Sequence, residues 1–226
     1  PIGVTLELAP ESYPDPPFIQ DHAGLQEIDS TSDLTVHWDA MPTPGTDDYI
    51  VVFITNSEDR NLFFTPLPGQ DGDVITGPIP ASATSVVIPS GTLPPGRNLQ
   101  LNVVFVSVSD QDTVTYPGAT GSAGFATVTS MDIVTGGDAI VPEMDMLLLA
   151  SSGKMQFSVN GEAGMTYTVE FSDDLVNWTT ESSQSIDMKN GSGLTGSFSY
   201  TAQGSSAILS RFYRVREGSG PPPDND

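Results

Sequence analysis

The sequence contains no cysteine, which excludes a disulfide scaffold, a thiolate metal site and a cysteine nucleophile. Basic residues are also few, since 7 lysines and arginines stand against 29 acidic residues. The formal net charge of -22 disfavours nucleic acid and anionic membrane surfaces as partners, because like charges repel. No apolar run approaches the roughly 20 residues that a membrane-spanning helix needs. Stability must therefore come from burial and hydrogen bonding.

Groups that perform catalysis are equally scarce. The only imidazoles belong to His22, in a Pro-rich stretch, and His37, which alternates with apolar residues and is expected to face solvent. The sequence has no serine nucleophile elbow, no phosphate-binding glycine loop and no paired-histidine zinc motif. We expect a protein that is not an enzyme.

Calcium is the one cofactor for which the sequence offers candidates. Clustered loop carboxylates suit this ion, and they occur at Asp71 and Asp73 and again at Asp110 and Asp112. Neither pair continues into an EF-hand loop, and exposed acidic turns are the favoured interpretation of both pairs. We therefore expect that calcium is not required for folding.

Glycine and proline are abundant, with 22 and 19 residues, and they separate short apolar patterns. Such spacing is typical of an all-β protein, and 226 residues suit two domains. The sequence predicts two tandem β-sandwich domains. The predicted segments are an N-terminal strand and Pro-rich linker (1–23), a first sandwich (24–136), a linker (137–143), a second sandwich (144–217) and a polar tail (218–226).

The first domain is marked by Leu34, Val36 and Trp38, which alternate with polar residues as in a strand with one buried face. Tyr49–Thr55 is apolar at nearly every position, which indicates a central strand, expected beside the first. The runs LTVHWDA and TLPPGRNLQLNVVFVSVSD resemble a fibronectin type III domain over residues 24–135. Leu99 stands where that family has a tyrosine. Further strands are predicted at 62–65, 85–88, 99–107 and 124–135.

The second domain carries the runs YTVEFSDDLVNWTT and RFYRVRE. Over residues 154–217 they are similar to a C-terminal module of large secreted proteins from planctomycete and verrucomicrobial bacteria. The resemblance implies an exported multidomain protein and no activity. We expect Trp178 to be buried in this domain. The matching positions are Tyr167, Glu170, Ser172, Leu175, Trp178, Phe212, Tyr213 and Arg214.

The N-terminus carries a surplus strand pattern. Val4, Leu6 and Leu8 alternate with other residues, and Gly24–Asp29 can already serve as the first strand of the sandwich. A strand on a proline-rich arm can pair within its own domain or add to the sheet edge of a neighbour. The second possibility predicts a homopolymer built by strand exchange.

These observations favour a non-catalytic structural or adhesive module that is secreted or held at the surface of a bacterial cell. Its partners would be other protein subunits or surface components. One alternative is a subunit of an extracellular filament assembled through the N-terminal strand. Another is a carbohydrate-binding accessory module, which requires exposed coplanar aromatic side chains. Because the chain begins at Pro1, we expect a processed product or a fragment.

Overall fold

The computed structural model describes residues 3–10, 13–67, 78–116, 120–149, 155–185, 195–202 and 211–218. These residues form thirteen strands and one short 3-10 helix, which confirms the all-β class. The chain divides into two compact units, Pro1–Asp138 and Ala139–Asp226. The division lies within the interval 137–143 that the sequence marks as a linker. In the described part of the chain, no helix has the length and hydropathy needed to cross a membrane.

The first unit contains two antiparallel sheets. One pairs β1 with β5, and the other has the order β3-β2-β6-β7 with β4 attached to β2. The strands are β1 (Leu34–His37), β2 (Tyr49–Thr55), β3 (Asn61–Phe64), β4 (Ile79–Pro80), β5 (Ser85–Ile88), β6 (Asn98–Asp112) and β7 (Gly121–Val134).

The position of β2 corrects one expectation. Its residues are mostly buried, as predicted, but it lies between β3 and β6 and not beside β1. A strand that is apolar on both faces is best covered in the middle of the larger sheet. The expected pairing of β2 with β1 is therefore wrong.

The core of the first unit draws buried side chains from both sheets, as in a sandwich. Val36 and Trp38 point into it from the β1 sheet, and alternate residues of β6 from Leu99 to Phe105 point into it from the other. Trp38 is 1% exposed, and its indole N–H donates to the carbonyl of Ala83 over 2.9 Å. His37 is exposed, as the alternation predicted.

The first strand of this unit lies earlier than predicted. Gly24–Gln26 is a 3-10 helix, and beyond it only Ile28 forms a single parallel bridge, with Thr135. The place beside β1 is taken by Ile19, which bridges Trp38. The segment assigned to the Pro-rich linker thus supplies part of the first unit.

The second unit also contains two antiparallel three-stranded sheets, of order β12-β9-β8 and β11-β10-β13. Its core gathers aromatic and aliphatic side chains such as Phe157, Tyr167 and Val169. Residues 186–194 and the predicted tail beyond Gly218 lie outside the described residues. The strands are β8 (Glu143–Leu149), β9 (Met155–Glu162), β10 (Thr166–Ser172), β11 (Thr179–Ser185), β12 (Thr195–Thr201) and β13 (Phe212–Glu217).

Candidate assembly surface

The most extended feature of the first unit is the hairpin formed by β6 and β7. The two strands pair from Asn98 opposite Val134 to Asp112 opposite Gly121. Strand β2 pairs with β6 only as far as Val106. Beyond that residue β6 has β7 as its only strand neighbour among the described residues. The outer part of the hairpin therefore extends past the rest of its own sheet.

A segment that we call the N-terminal arm, residues 3–10 and 13–17, lies along the hairpin. The hydroxyl of Thr127 donates to the backbone carbonyl of Asp15 over 3.3 Å. The hydroxyl of Thr129 donates to the backbone carbonyl of Pro17. The ring of Tyr13 lies 4.5 Å from that of Phe125, centroid to centroid. These contacts place the arm along the face of β7 that also contributes to the core, because Thr127 and Thr129 pair with the buried residues Phe105 and Val103.

The three assembly-strand candidates, Val4, Leu6 and Leu8, lie near the far end of the hairpin. They are not in a strand, so the predicted N-terminal strand is wrong over residues 3–8, where the structure describes it. The backbone amide of Glu7 donates to a carboxylate oxygen of Asp110 over 2.9 Å. A side-chain acceptor cannot propagate a ladder, because a ladder needs backbone groups on both chains.

The packing of this stretch is loose. Val4 is 37% exposed and Leu8 57%, while Leu6 is half-buried and faces Gly121. A hollow of about 330 Å³ lies between the arm and the hairpin loop, lined in part by Val4, Leu6 and Tyr116. Of the apolar side chains that suggested a strand, Leu8 is therefore mainly exposed, whereas Val4 and Leu6 are partly covered by the hairpin.

Both calcium candidates in this region accept hydrogen bonds from the protein itself. Asp112 accepts hydrogen bonds from the hydroxyl and amide of Thr115 and from the amide of Val114, which lower the pKa of its carboxyl group. Asp110 accepts the Glu7 amide. Within the described residues no three His, Cys, Asp or Glu side chains are grouped to hold a metal ion. Asp71 and Asp73 lie outside the described residues.

The free side of β7 is open over its central part. The carbonyl of Val134 accepts from the Ile28 amide, and that of Asp132 accepts from the Gln26 side chain, so both carbonyls point away from β6. Because backbone direction alternates along a strand, the amides and carbonyls of Ser130, Val128 and Ala126 point the same way. Within the described residues, no backbone hydrogen bond reaches these groups on that side.

The second unit brings together several of the residues on which its resemblance rests. The carboxylate of Glu170 has no exposed surface, and it accepts from Arg214 Nε over 2.7 Å and from Arg216 Nε over 3.3 Å. The Arg214 guanidinium lies over the Trp178 ring, 4.1 Å from its centroid. A buried carboxylate held by two arginines, with an indole against one of them, forms a compact structural cluster.

Trp178 was expected in the core, and this expectation is wrong. It is half-buried and immediately precedes β11, in which Thr180 pairs with Glu170. Residues two apart share a face of a strand, so Trp178 lies on the Glu170 side and not on the core side of Tyr167. Its ring contacts a guanidinium, which is not the flat group of aromatic rings that a sugar-binding surface would need.

The turn after β10 is held by Asp174. Its carboxylate accepts from the amide and side chain of Asn177, from the Val176 amide and from the Ser172 hydroxyl. These bonds favour the ionised form and hold the pKa of Asp174 well below its usual range. The charge therefore stabilises the turn only while the carboxyl group is ionised.

Asp174→Ala is expected to lower the melting temperature at neutral pH, and the difference from wild type should shrink steadily as the pH falls below about 4. A carboxyl group whose pKa is lowered by folding adds stability above its unfolded pKa of about 3.9. That stability is lost as the pH falls through the lower folded value. Melting curves of both proteins from about pH 7 to pH 2 measure this. A difference that stays constant over this range would contradict the assignment.

Comparison with family models, with curated proteins and with solved structures gave no match. The assignment of the candidate surface therefore rests on the geometry of the first unit. The hairpin, the arm and the open side of β7 lie together, whereas the predicted calcium carboxylates and the histidines form no common site in the described residues. Sequence reasoning missed the open side of β7, although its sequence signal, an uncharged run from Gly121 to Met131, is visible.

Proposed function

We propose that this chain is a non-catalytic structural or adhesive module of a secreted or cell-surface bacterial protein. It works without a cofactor, and its partners are other protein subunits or surface components. The acidic, cysteine-free composition and the resemblances in both halves support this proposal. The observation that carries it is the N-terminal arm, which contacts the β6–β7 hairpin without forming a backbone ladder and leaves Val4 and Leu8 partly exposed.

The arrangement of the first unit supports the fibronectin type III resemblance. Immunoglobulin-like sandwiches place their second and fifth strands in one sheet and their third, sixth and seventh strands in the other. With the chain at Ile19 as the first strand and the two-residue β4 left uncounted, β1 and β5 are the second and fifth strands and share one sheet. Strands β2, β6 and β7 are then the third, sixth and seventh and share the other. Modules of this class serve many extracellular proteins as spacers and contact surfaces.

The loose arm also favours a second candidate, a filament subunit. The arm of one molecule could take the same place on the hairpin of the next, because few backbone bonds would have to break. Pro14, Pro16 and Pro17 favour an extended connection that reaches about 3 Å per residue. A contact of this head-to-tail kind does not close on itself and leads to an open polymer.

Deletion of Pro1–Ala9 is expected to abolish filament growth while both units stay folded. The deletion removes Val4, Leu6 and Leu8 but leaves the core of the first unit intact. Light scattering measures the size of full-length and truncated chains, and circular dichroism measures their strand content. A chain lacking residues 219–226 is the matched control and should behave as full length. If the truncated chain still forms polymers, or if the full chain forms none at high concentration, arm exchange is refuted.

The location is tested separately. Protease added to intact cells of the source organism is expected to digest the protein, because a secreted or surface-held module is accessible from outside. A cytosolic marker protein in the same cells must survive as the control. Protection of the protein until the cells are lysed would contradict the proposed location and leave the assembly result unaffected.

A further inference from the structure

Strand β7 has an unusual charge pattern for an edge strand. From Gly121 to Met131 it reads GSAGFATVTSM and carries no charged residue, in a chain of which 16% is charged. Natural edge strands usually carry charges or proline, which prevent pairing with another sheet. This run has neither. Asp132 follows the run and Asp112 of β6 pairs with its first residue, Gly121, so acidic residues lie at both ends of the uncharged region.

The open side of this run presents backbone groups that can pair with another strand. The backbone groups of Ser130, Val128 and Ala126 point away from β6, as described above. Their side chains share the face of the sheet opposite the core, where Val128 is 55% exposed. The arm lies on the other face, against Thr127 and Thr129. An approaching strand would therefore meet unpaired backbone and small side chains.

We propose that β7 pairs antiparallel with β7 of a second copy of this chain, about a two-fold axis at Ala126. Residues whose backbone points outward must face each other, so even-numbered residues oppose even-numbered ones. In this register Val128 of each copy lies opposite Gly124 of the other, where no side chain competes for space. Ser130 lies opposite Ser122. The same surface serves both copies, so the contact closes as a dimer.

The self-complementary register, with Val128 opposite Gly124 in both copies, is the reason that the partner is a second copy, and the absence of charge permits the contact. Two chains of net charge -22 repel each other over most of their surfaces, and an uncharged strand is where they can approach. In the proposed register Asp132 faces Thr120, so no two carboxylates oppose each other along the paired strands. The pairing does not involve the N-terminal arm and does not depend on where the protein is located. It is therefore tested independently of the proposed function.

Sedimentation equilibrium tests the proposal by measuring the molecular mass of the full-length chain in solution over a range of protein and salt concentrations. We expect a dimer whose association strengthens when salt is raised to about 0.5 M, because salt screens the repulsion between acidic copies. Val128→Lys puts a charge in the paired strand and is expected to weaken the dimer about tenfold or more. Val114→Lys makes the same charge change in the hairpin loop, at a residue that is 84% exposed, and should leave the dimer unchanged.

Circular dichroism of both variants verifies folding, and Ser130→Lys replaces Val128→Lys if the latter does not fold. A chain that stays monomeric at every concentration and salt would overturn the proposal. Equal dimerisation of Val128→Lys and Val114→Lys would also overturn it. Loss of the dimer on deletion of Pro1–Ala9 would assign association to the arm instead, whereas a dimer that survives this deletion supports β7 pairing.

Discussion

Trp38→Ala is expected to lower the free energy of unfolding of the first unit by about 3 to 5 kcal/mol. The indole is almost completely buried among side chains of both sheets, so alanine leaves a large cavity. The substitution also removes the donor to the carbonyl of Ala83, which lies 2.9 Å from the indole nitrogen. A loss of this size is a large part of the stability of a small domain.

Urea denaturation followed by circular dichroism measures this effect, and Trp178→Ala is the matched control. Trp178 is half-buried and contacts Arg214, so its loss should cost only about 1 to 2 kcal/mol, chiefly from the cation–π contact and partial burial. Similar losses for both variants would show that the two indoles are buried alike and would contradict the placement of Trp178 outside the core.

Arg214→Ala is expected to cost the second unit about 2 to 3 kcal/mol. The Glu170 carboxylate is completely buried, and Arg214 provides the shorter of its two ionic hydrogen bonds. Removal of the arginine leaves a buried negative charge with Arg216 as its remaining arginine partner. The expected cost lies below that of a fully buried pair because the Arg214 side chain is 37% exposed. The Trp178 ring also loses its partner.

Two conservative variants separate the charge effect from the loss of packing. Glu170→Gln keeps the shape of the side chain and removes the buried charge, so it should cost less than Arg214→Ala. Arg214→Lys keeps the charge but not the planar donor group, so it should fall between wild type and Arg214→Ala. Urea midpoints give the order. If Glu170→Gln proved the most harmful of the three, the view that the orphaned carboxylate dominates the cost would be wrong.

Local patterns were sufficient to predict most strands. The alternation of Leu34, Val36 and Trp38 predicted both a strand and its buried face, and the apolar run Tyr49–Thr55 predicted a covered one. The same alternation at Val4 and Leu8 was misleading, because these side chains found no ladder in which to pair. A period of two indicates that a segment can be a strand, but a strand forms only where another backbone is available.

The sequence by itself determined the all-β class, the positions of most strands and the strong negative charge, because these properties depend on neighbouring residues or on simple sums. Only the tertiary structure decided that β2 lies beside β6, that Trp178 faces Arg214 and that Glu170 is buried between two arginines. Pairings of this kind join segments far apart in the chain. They are selected by the packing of the whole unit, and no local pattern of side chains encodes them.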